Sequence, residues 1–303
     1  MQYNPFDSFL VPEQPSFFFR EGQVQADVCV WNPLVKKNLG CFFEFNTGPK
    51  DELIELLPDN CFSFYFFLND NPQGYVAGPN QALKKLILPA NATIFIFKPL
   101  SIIKTVLSAS FTLNNFNSLY PIKFFFKNSS ILDELTVAAD FAERKRIFLA
   151  EARRHILAPK YDASKYGFNL VDESQLIICQ SRGQKQVGYI AKKMGFSERY
   201  CHMLFNDALG LSMKQYSEVI RFQNVIKMFF HQTTNFLEVA MANNFHDQAH
   251  LNHFFKKFTP YTPSEYLRIF YNYETFGLPI DVVQRGYQNS PEPYRYQRQT
   301  DQI

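Results

Sequence analysis

The sequence predicts an α+β protein of two domains. A β-rich N-terminal sheet or barrel-like domain with helices precedes an all-α C-terminal domain, in which two helix-turn-helix motifs are joined by a long helix. Three observations predict this. Short aromatic and β-branched runs bounded by Pro, Asn, Asp and Gly fill residues 1 to about 128. Apolar residues then recur at three- and four-residue spacing. The helical part also repeats itself: Phe205 and Phe255, Gly210 and Pro260, Ser212 and Thr262, Met213 and Pro263, Tyr216 and Tyr266 lie 50 residues apart. Ala191 with Gly195-Phe196 matches Ala240 with Asn244-Phe245 at an offset of 49. A repeat of that length is one supersecondary unit used twice.

In the N-terminal part, Phe17-Phe18-Phe19, Cys41–Phe45, Phe62–Leu68 and Thr93–Phe97 read as strands. Several are apolar on consecutive residues, as expected of strands covered on both faces. The first histidine of the chain is His155, which excludes a His-ligated metal centre in residues 1–154. Glu44, Asp51, Glu52, Glu55 and Asp59 fall in apparent loops or turns. No enzyme chemistry is therefore expected of this domain. A small-molecule pocket, a protein contact or an oligomer interface fits it better.

Ile131–Leu157 reads as helical, packing on the sheet or pairing with its copy in a homodimer. Residues 158–169, with Pro159, Asp162, Ser164 and Gly167, read as a linker closing a domain over 1–157. The C-terminal domain is expected over 170–275, starting with a helix at Asp172–Gln180. A polar tail rich in Pro, Gln and Tyr, without a fold of its own, follows over 276–303.

In the first unit Ser197 is placed to cap a helix starting at Glu198, with Cys201, Leu204 and Phe205 inward. Arg199, His202, Met203 and Asn206 project the other way. A helix of about Lys214–Phe230 connects the units. In the second, Phe236–Asn243 is a short helix, Asn244 a residue tolerant of a left-handed turn, and Asp247 a cap. Leu251, Phe254, Phe255 and Phe258 make an apolar face, while Gln248, Ala249, Asn252, His253 and Lys256 fall on another. Amides, imidazoles and cations on an outward helix face suit base edges and phosphates. Residues 182–271 hold 11 Lys and Arg against 6 Asp and Glu, so they carry +5 of a chain whose total is +3, leaving −2 elsewhere. A basic module beside a slightly acidic one is the asymmetry expected when one half binds phosphate, which supports double-stranded DNA as the partner that the outward helix faces suit.

The two segments IAKKMGFSERYCHMLFNDALGLSMKQYSEVIRF and AMANNFHDQAHLNHFFKKFTPYTPSEY resemble the two motifs of the DNA-binding domain of the AraC/XylS family of bacterial transcription regulators. The resemblance spans about 170–271 and includes the connector Arg221-Phe222. It implies that Arg199, His202 and Met203 stand at base-contacting positions, with Ala249, Asn252 and His253 corresponding in the second unit and Gln248 and Lys256 nearby. Three departures stand out: Asn244 replaces a usual Gly in the second turn, Pro260 a usual Gly after the second reading helix, and Met213 a frequent Pro. The layout Leu57-Pro58-Asp59-Asn60, Gly78-Pro79, Phe97-Lys98-Pro99 resembles an uncharacterised N-terminal domain found on some members.

His246, His250 and His253 lie within eight residues, but they read as a turn residue, a packed ring and a DNA contact rather than a metal site. No cofactor is expected. Cysteines 29, 41, 61, 179 and 201 show neither metal spacing nor a disulfide framework, which fits a reducing cytoplasm. No apolar run reaches the roughly 18 residues of a membrane span, and Met1–Arg20 lacks the pattern of a secretion signal. The expected function is a cytoplasmic transcription regulator, adjusted through its N-terminal domain by a small molecule, a protein or its dimer state, and contacting RNA polymerase if it activates. A ligand-binding or DNA-repair enzyme carrying a similar module is the alternative. A repair methyltransferase, however, needs a reactive cysteine in a recognisable setting, which none of the five has. A pure interaction scaffold would show no salt-dependent DNA binding.

Overall fold

The computed structural model describes residues 12–18, 24–30, 39–100, 119–126, 130–156, 167–233 and 235–271. Among these residues eight strands are seen in the N-terminal part: β1 (Gln25–Val30), β2 (Leu39–Asn46), β3 (Glu52–Leu56), β4 (Ser63–Leu68), β5 (Gln73–Ala77), β6 (Lys84–Leu88), β7 (Thr93–Pro99) and β8 (Leu119–Pro121). Six form an antiparallel sheet in the order β1-β2-β7-β4-β5-β8, and β3 pairs with β6 as a separate ribbon. Among the described residues the six-stranded sheet runs from β1 to β8, with the two-stranded ribbon separate from it, as expected of a β-rich sheet domain.

The consecutive apolar residues are explained by two covered faces. Phe42, Phe64, Phe66, Phe95 and Phe97 point to one side, onto helices α2 (Ile131–Val137) and α3 (Phe141–Ile156). Phe148 of α3 sits 4.7 Å from the Phe97 ring and 5.8 Å from Phe42. Cys41, Phe43, Phe45, Tyr65, Phe67, Ile94 and Ile96 point to the other side, onto Phe17 and the ribbon residues Ile54, Leu56 and Leu88. Because side chains alternate along a strand, each uninterrupted run serves both cores at once.

Three details differ from the sequence reading. Pro15–Phe18 is a short helix, α1, not a strand; proline suits a first helical position because its missing N–H is an orphan there anyway. Phe19 lies outside the described residues. Glu44 belongs to β2, and Glu52 and Glu55 to β3, so these carboxylates are in strands. The helical stretch after residue 130 is broken at Ala138–Asp140, where Asp140 Oδ1 accepts from Glu143 N and Glu143 Oε2 from Ala139 N, starting α3 afresh. Arg144 on α3 then reaches back to Glu44 at 3.1 Å, tying helix to sheet.

The C-terminal part holds α4 (Gly167–Gln180), α5 (Val187–Met194), α6 (Glu198–Leu209), α7 (Met213–His231), α8 (Phe236–Ala242), α9 (Gln248–Lys256) and α10 (Pro263–Tyr271). Helix α4 starts at Gly167, earlier than the expected Asp172, within the stretch read as linker. Residues 157–166 and the tail 272–303 lie outside the described residues. Two cores form here, and α7 serves both. Met213, Tyr216 and Ile220 pack with α4, α5 and α6, whereas Phe222, Val225, Ile226, Phe229 and Phe230 pack with α8, α9 and α10. One helix, with 13 of its 19 residues buried, is thus the spine of both units.

Candidate nucleic-acid interface

The two units share a turn. In the first, Gly195 takes φ +77 and Phe196 N donates to Ala191 O at 3.1 Å. In the second, Asn244 takes φ +56 and Phe245 N donates to Ala240 O at 2.9 Å. Asparagine accepts the left-handed region at modest cost, so its replacement of glycine leaves the turn intact. Each reading helix is then capped as its sequence requires: Ser197 accepts from Tyr200 N and Asp247 from His250 N at 2.7 Å.

The exits diverge at the departure. Helix α6 ends on Gly210 in the left-handed region (φ +69), its N–H donating to Asn206 O. Helix α9 ends on Lys257 in the right-handed region, and Thr259 Oγ1 takes the N–H of Tyr261 just past Pro260. A proline has no N–H and resists the left-handed conformation, hence the different stop. The next helices start alike. Ser212 and Gln215 form a reciprocal capping box on α7, and Thr262 with Glu265 repeats it on α10. The Thr262 backbone N–H holds the Glu265 carboxyl below its usual range. Met213 and Pro263 occupy the first helical positions after these caps. This S/T-x-x-Q/E pair, also 50 residues apart, is a signal in the sequence that went unread.

On α6, Arg199, Met203 and Asn206 are exposed and His202 is half-buried; Cys201 and Phe205 point into the core. On α9, Gln248, Ala249, His253 and Lys256 are exposed and Asn252 is half-buried, with Leu251 and Phe255 inside. Every residue singled out for reading therefore reaches the surface, in two groups on two equivalent helices. Lys257 is engaged by Glu218 of α7, which separates it from its neighbour Lys256 in role. The rings of His246 and His250 stack at 5.7 Å, and His250 also meets Phe245 edge-on at 5.1 Å.

What sequence reasoning missed is how the two units are held to one another. Arg221 of α7 lies over the Phe245 ring at 3.8 Å and donates through Nε to Asn243 O at 2.8 Å. Asn243, fully buried, is itself held by Asn224 and by Val239 O. From the first unit, Gln184 Nε2 donates to Ala242 O at 2.9 Å, and Asn244 Nδ2 donates back to Gln184 Oε1 at 2.7 Å. The α4–α5 loop and α7 together clamp the turn of the second unit. The orientation of α9 relative to α6 is set by these contacts.

The helical part also meets the sheet part along a polar seam. Gln223 of α7, 1% exposed, accepts from Glu13 N at 2.7 Å and donates to Pro58 O at 2.6 Å. Asn60 donates to Tyr216 O, Leu83 N to Phe258 O, and Tyr261 Oη to Glu55; desolvation, and then this carboxylate, raise the Tyr261 pKa. His231 faces Glu13 at 3.1 Å. Leu57 enters the core of the second unit. The seam thus falls on the spine helix and on the segment just after α9.

Residues 190–269 match the model of a family described as a helix-turn-helix domain, so the match embraces both units and the helix between them. No curated protein matches the chain at the sequence level. Among solved structures, the apo form of a ToxT point variant from Vibrio cholerae strain SCE256 is similar at 12% identity and a TM-score of 0.42, over 75% of this chain and 96% of that one. ToxT from Vibrio cholerae O395 is similar at 11% and 0.41, over 82% and 99%. Unsaturated fatty acid-bound wild-type ToxT from strain SCE256 is similar at 11% and 0.35, over 85% and 97%. Likenesses of this grade assign nothing to the present chain. Among the described residues no helix is long and apolar enough to cross a membrane.

Proposed function

We propose that this chain, a DNA-binding transcription regulator by its AraC-type helix-turn-helix domain, reads two successive major grooves on one face of the duplex, about one helical turn (~34 Å) apart. The observation that carries this reading is the duplication: two capped helices with equivalent turns, each with its polar residues outward, on one shared spine. Arg199 can make a bidentate pair with guanine, Met203 an apolar contact with a thymine methyl, and Asn252 a contact with adenine. His202, His253, Gln248, Ala249 and Asn206 line the same reading surfaces, and Lys256 supplies a cation for phosphate.

Arg199→Ala is expected to cost about 1–3 kcal/mol on the preferred site and to relax preference at one base position. Lys256→Ala is expected to weaken binding to all sequences and make the salt slope shallower by about one ion. Titration of both variants against specific and unrelated duplexes separates the two roles. Equal losses on every sequence would make Arg199 a phosphate contact, and an unchanged slope would remove Lys256 from the phosphate set.

The N-terminal domain is proposed to adjust this binding through the seam, by a small molecule, a protein or a second copy of the chain. Support comes from its contact with α7, since whatever shifts Glu13, Pro58 or Asn60 acts on the helix that spaces the readers. Gln223→Leu deletes the central bridge without touching a reading residue. It is expected to change the affinity of the full chain for its site, and wild-type affinity in a folded variant would take the seam out of control.

A further inference from the structure

Between the two units lies an open recess of about 360 Å³, walled by the α4–α5 loop on one side and the turn of the second unit on the other. Arg182 and Lys185 line it, with Ser181, Gln184 and Asn244, and among the described residues no Asp or Glu lines it. The loop is anchored rather than pendant. Arg182 N donates to Cys179 O and Gly183 N to Ile178 O, and Gly183 lies so close to α7 that an added Cβ would stand 2.1 Å from Ser217 O. Lys185 is held with its ammonium 5.0 Å from the Tyr189 ring centre.

The recess also lies at the leading end of both readers. The first turn of α5 adjoins the first turn of α6, because a Cβ on Gly188 would stand 2.5 Å from Glu198 Oε1. Asn244 precedes the α9 cap Asp247 by three residues. If α6 and α9 enter successive major grooves, the sugar-phosphate strand dividing those grooves must cross the surface between the units. A concave site with a guanidinium, an ammonium and amides, and no carboxylate among its described lining residues, matches what that strand offers.

We infer that this recess seats the phosphate backbone between the two blocks of the DNA site, with Arg182 and Lys185 as its cationic contacts. The inference rests on the two-groove reading above. Its test uses the full chain and duplexes carrying its selected site, titrated over a range of salt. The double variant Arg182→Ala with Lys185→Ala is expected to lower affinity on all sequences, keep the base preference, and make the log–log salt slope shallower by about two. Lys185→Gln alone, at an exposed position, is expected to give about half that change. Neutral methylphosphonates placed between the two blocks should weaken the wild type and leave the double variant little further affected. A wild-type slope in the folded variants, or no effect of the neutral linkages on the wild type, overturns the recess while the two-groove reading stands. Loss of base preference in the double variant overturns it as well, by making these residues readers. Failure of the wild type to bind any duplex overturns both.

Discussion

Lys98→Met is expected to destabilise the protein by about 3–5 kcal/mol, because it leaves a carboxylate buried without its cation. Lys98 and Asp59 are both 1% exposed at the side chain and meet at 2.5 Å. Further hydrogen bonds surround them. Lys98 also donates to Ser63 Oγ, while Asp59 accepts from Gln14 Nε2 through one oxygen and from Cys61 N through the other. Burial lowers the Lys98 pKa, but the contact with Asp59 outweighs it and holds the pKa above the ordinary lysine range. A group whose folded pKa is raised contributes stability that is complete below its unfolded value, ~10.4, and is lost as pH rises through the folded one. The Lys98 contribution is therefore complete throughout the neutral range and is lost in strong alkali. Asp59 is also next to the seam: Gln14 bonds Leu57 at both N and O, and Pro58 and Asn60 grip α7. Denaturant unfolding of the full chain measures the loss. The double variant Lys98→Met with Asp59→Leu should recover a good part of it. A single variant within about 1 kcal/mol of wild type, the size of a surface pair, would contradict the assignment.

Gly183→Ala is expected to cost about 2–4 kcal/mol, from left-handed strain and a backbone collision together. Gly183 has φ +70, and its added Cβ would meet Ser217 O at 2.1 Å and Arg221 N at 2.8 Å, both main-chain atoms of α7 that cannot turn aside. Gly195 is the internal control. Its φ of +77 is as demanding, yet nothing lies within 4 Å of the added Cβ, so Gly195→Ala should cost only the strain, about 1–2 kcal/mol. Comparison of the two variants by denaturant unfolding isolates the collision, and equal losses would mean that the loop can leave α7 freely. A second effect follows for Gly183→Ala alone. The loop that moves carries Gln184, which bridges to Ala242 and Asn244 of the second unit. Affinity for a two-block site should fall more than affinity for a single block.

Much of this architecture was legible because it is local. Helix periods, the caps Ser197 and Asp247, and the left-handed Asn244 are all written within a few residues, and the structure places them as expected. The runs of consecutive apolar residues announced strands covered on both faces, and the faces are filled from α3 and from the β3–β6 ribbon. The outward residues of α6 and α9 were legible for the same reason: a helix that buries Cys201 and Phe205, or Leu251 and Phe255, must turn the others out. Misreadings arose where tertiary contacts decide. Phe17 is as apolar as any strand residue, yet Pro15 and the contacts of Gln14 and Ser16 with the β3 region fold its segment into a helical turn. The bond from Glu13 to Gln223 spans 210 residues, and no periodicity reports a contact of that range. Arg221 was visible as part of a motif, but its place over Phe245 depends on how the second unit packs on α7.

The most direct test of two readers on one spine is selection of bound sequences from random duplex DNA by the full-length protein, with the enriched sites titrated at two salt concentrations. The account predicts sites with two short blocks about one helical turn (~34 Å) apart, each block weakened by substitution in one of the two helices. Arg199→Ala should erase one position of the first block and leave the second unchanged. Enrichment of a single block, insensitive to what lies one turn away, would contradict the central claim.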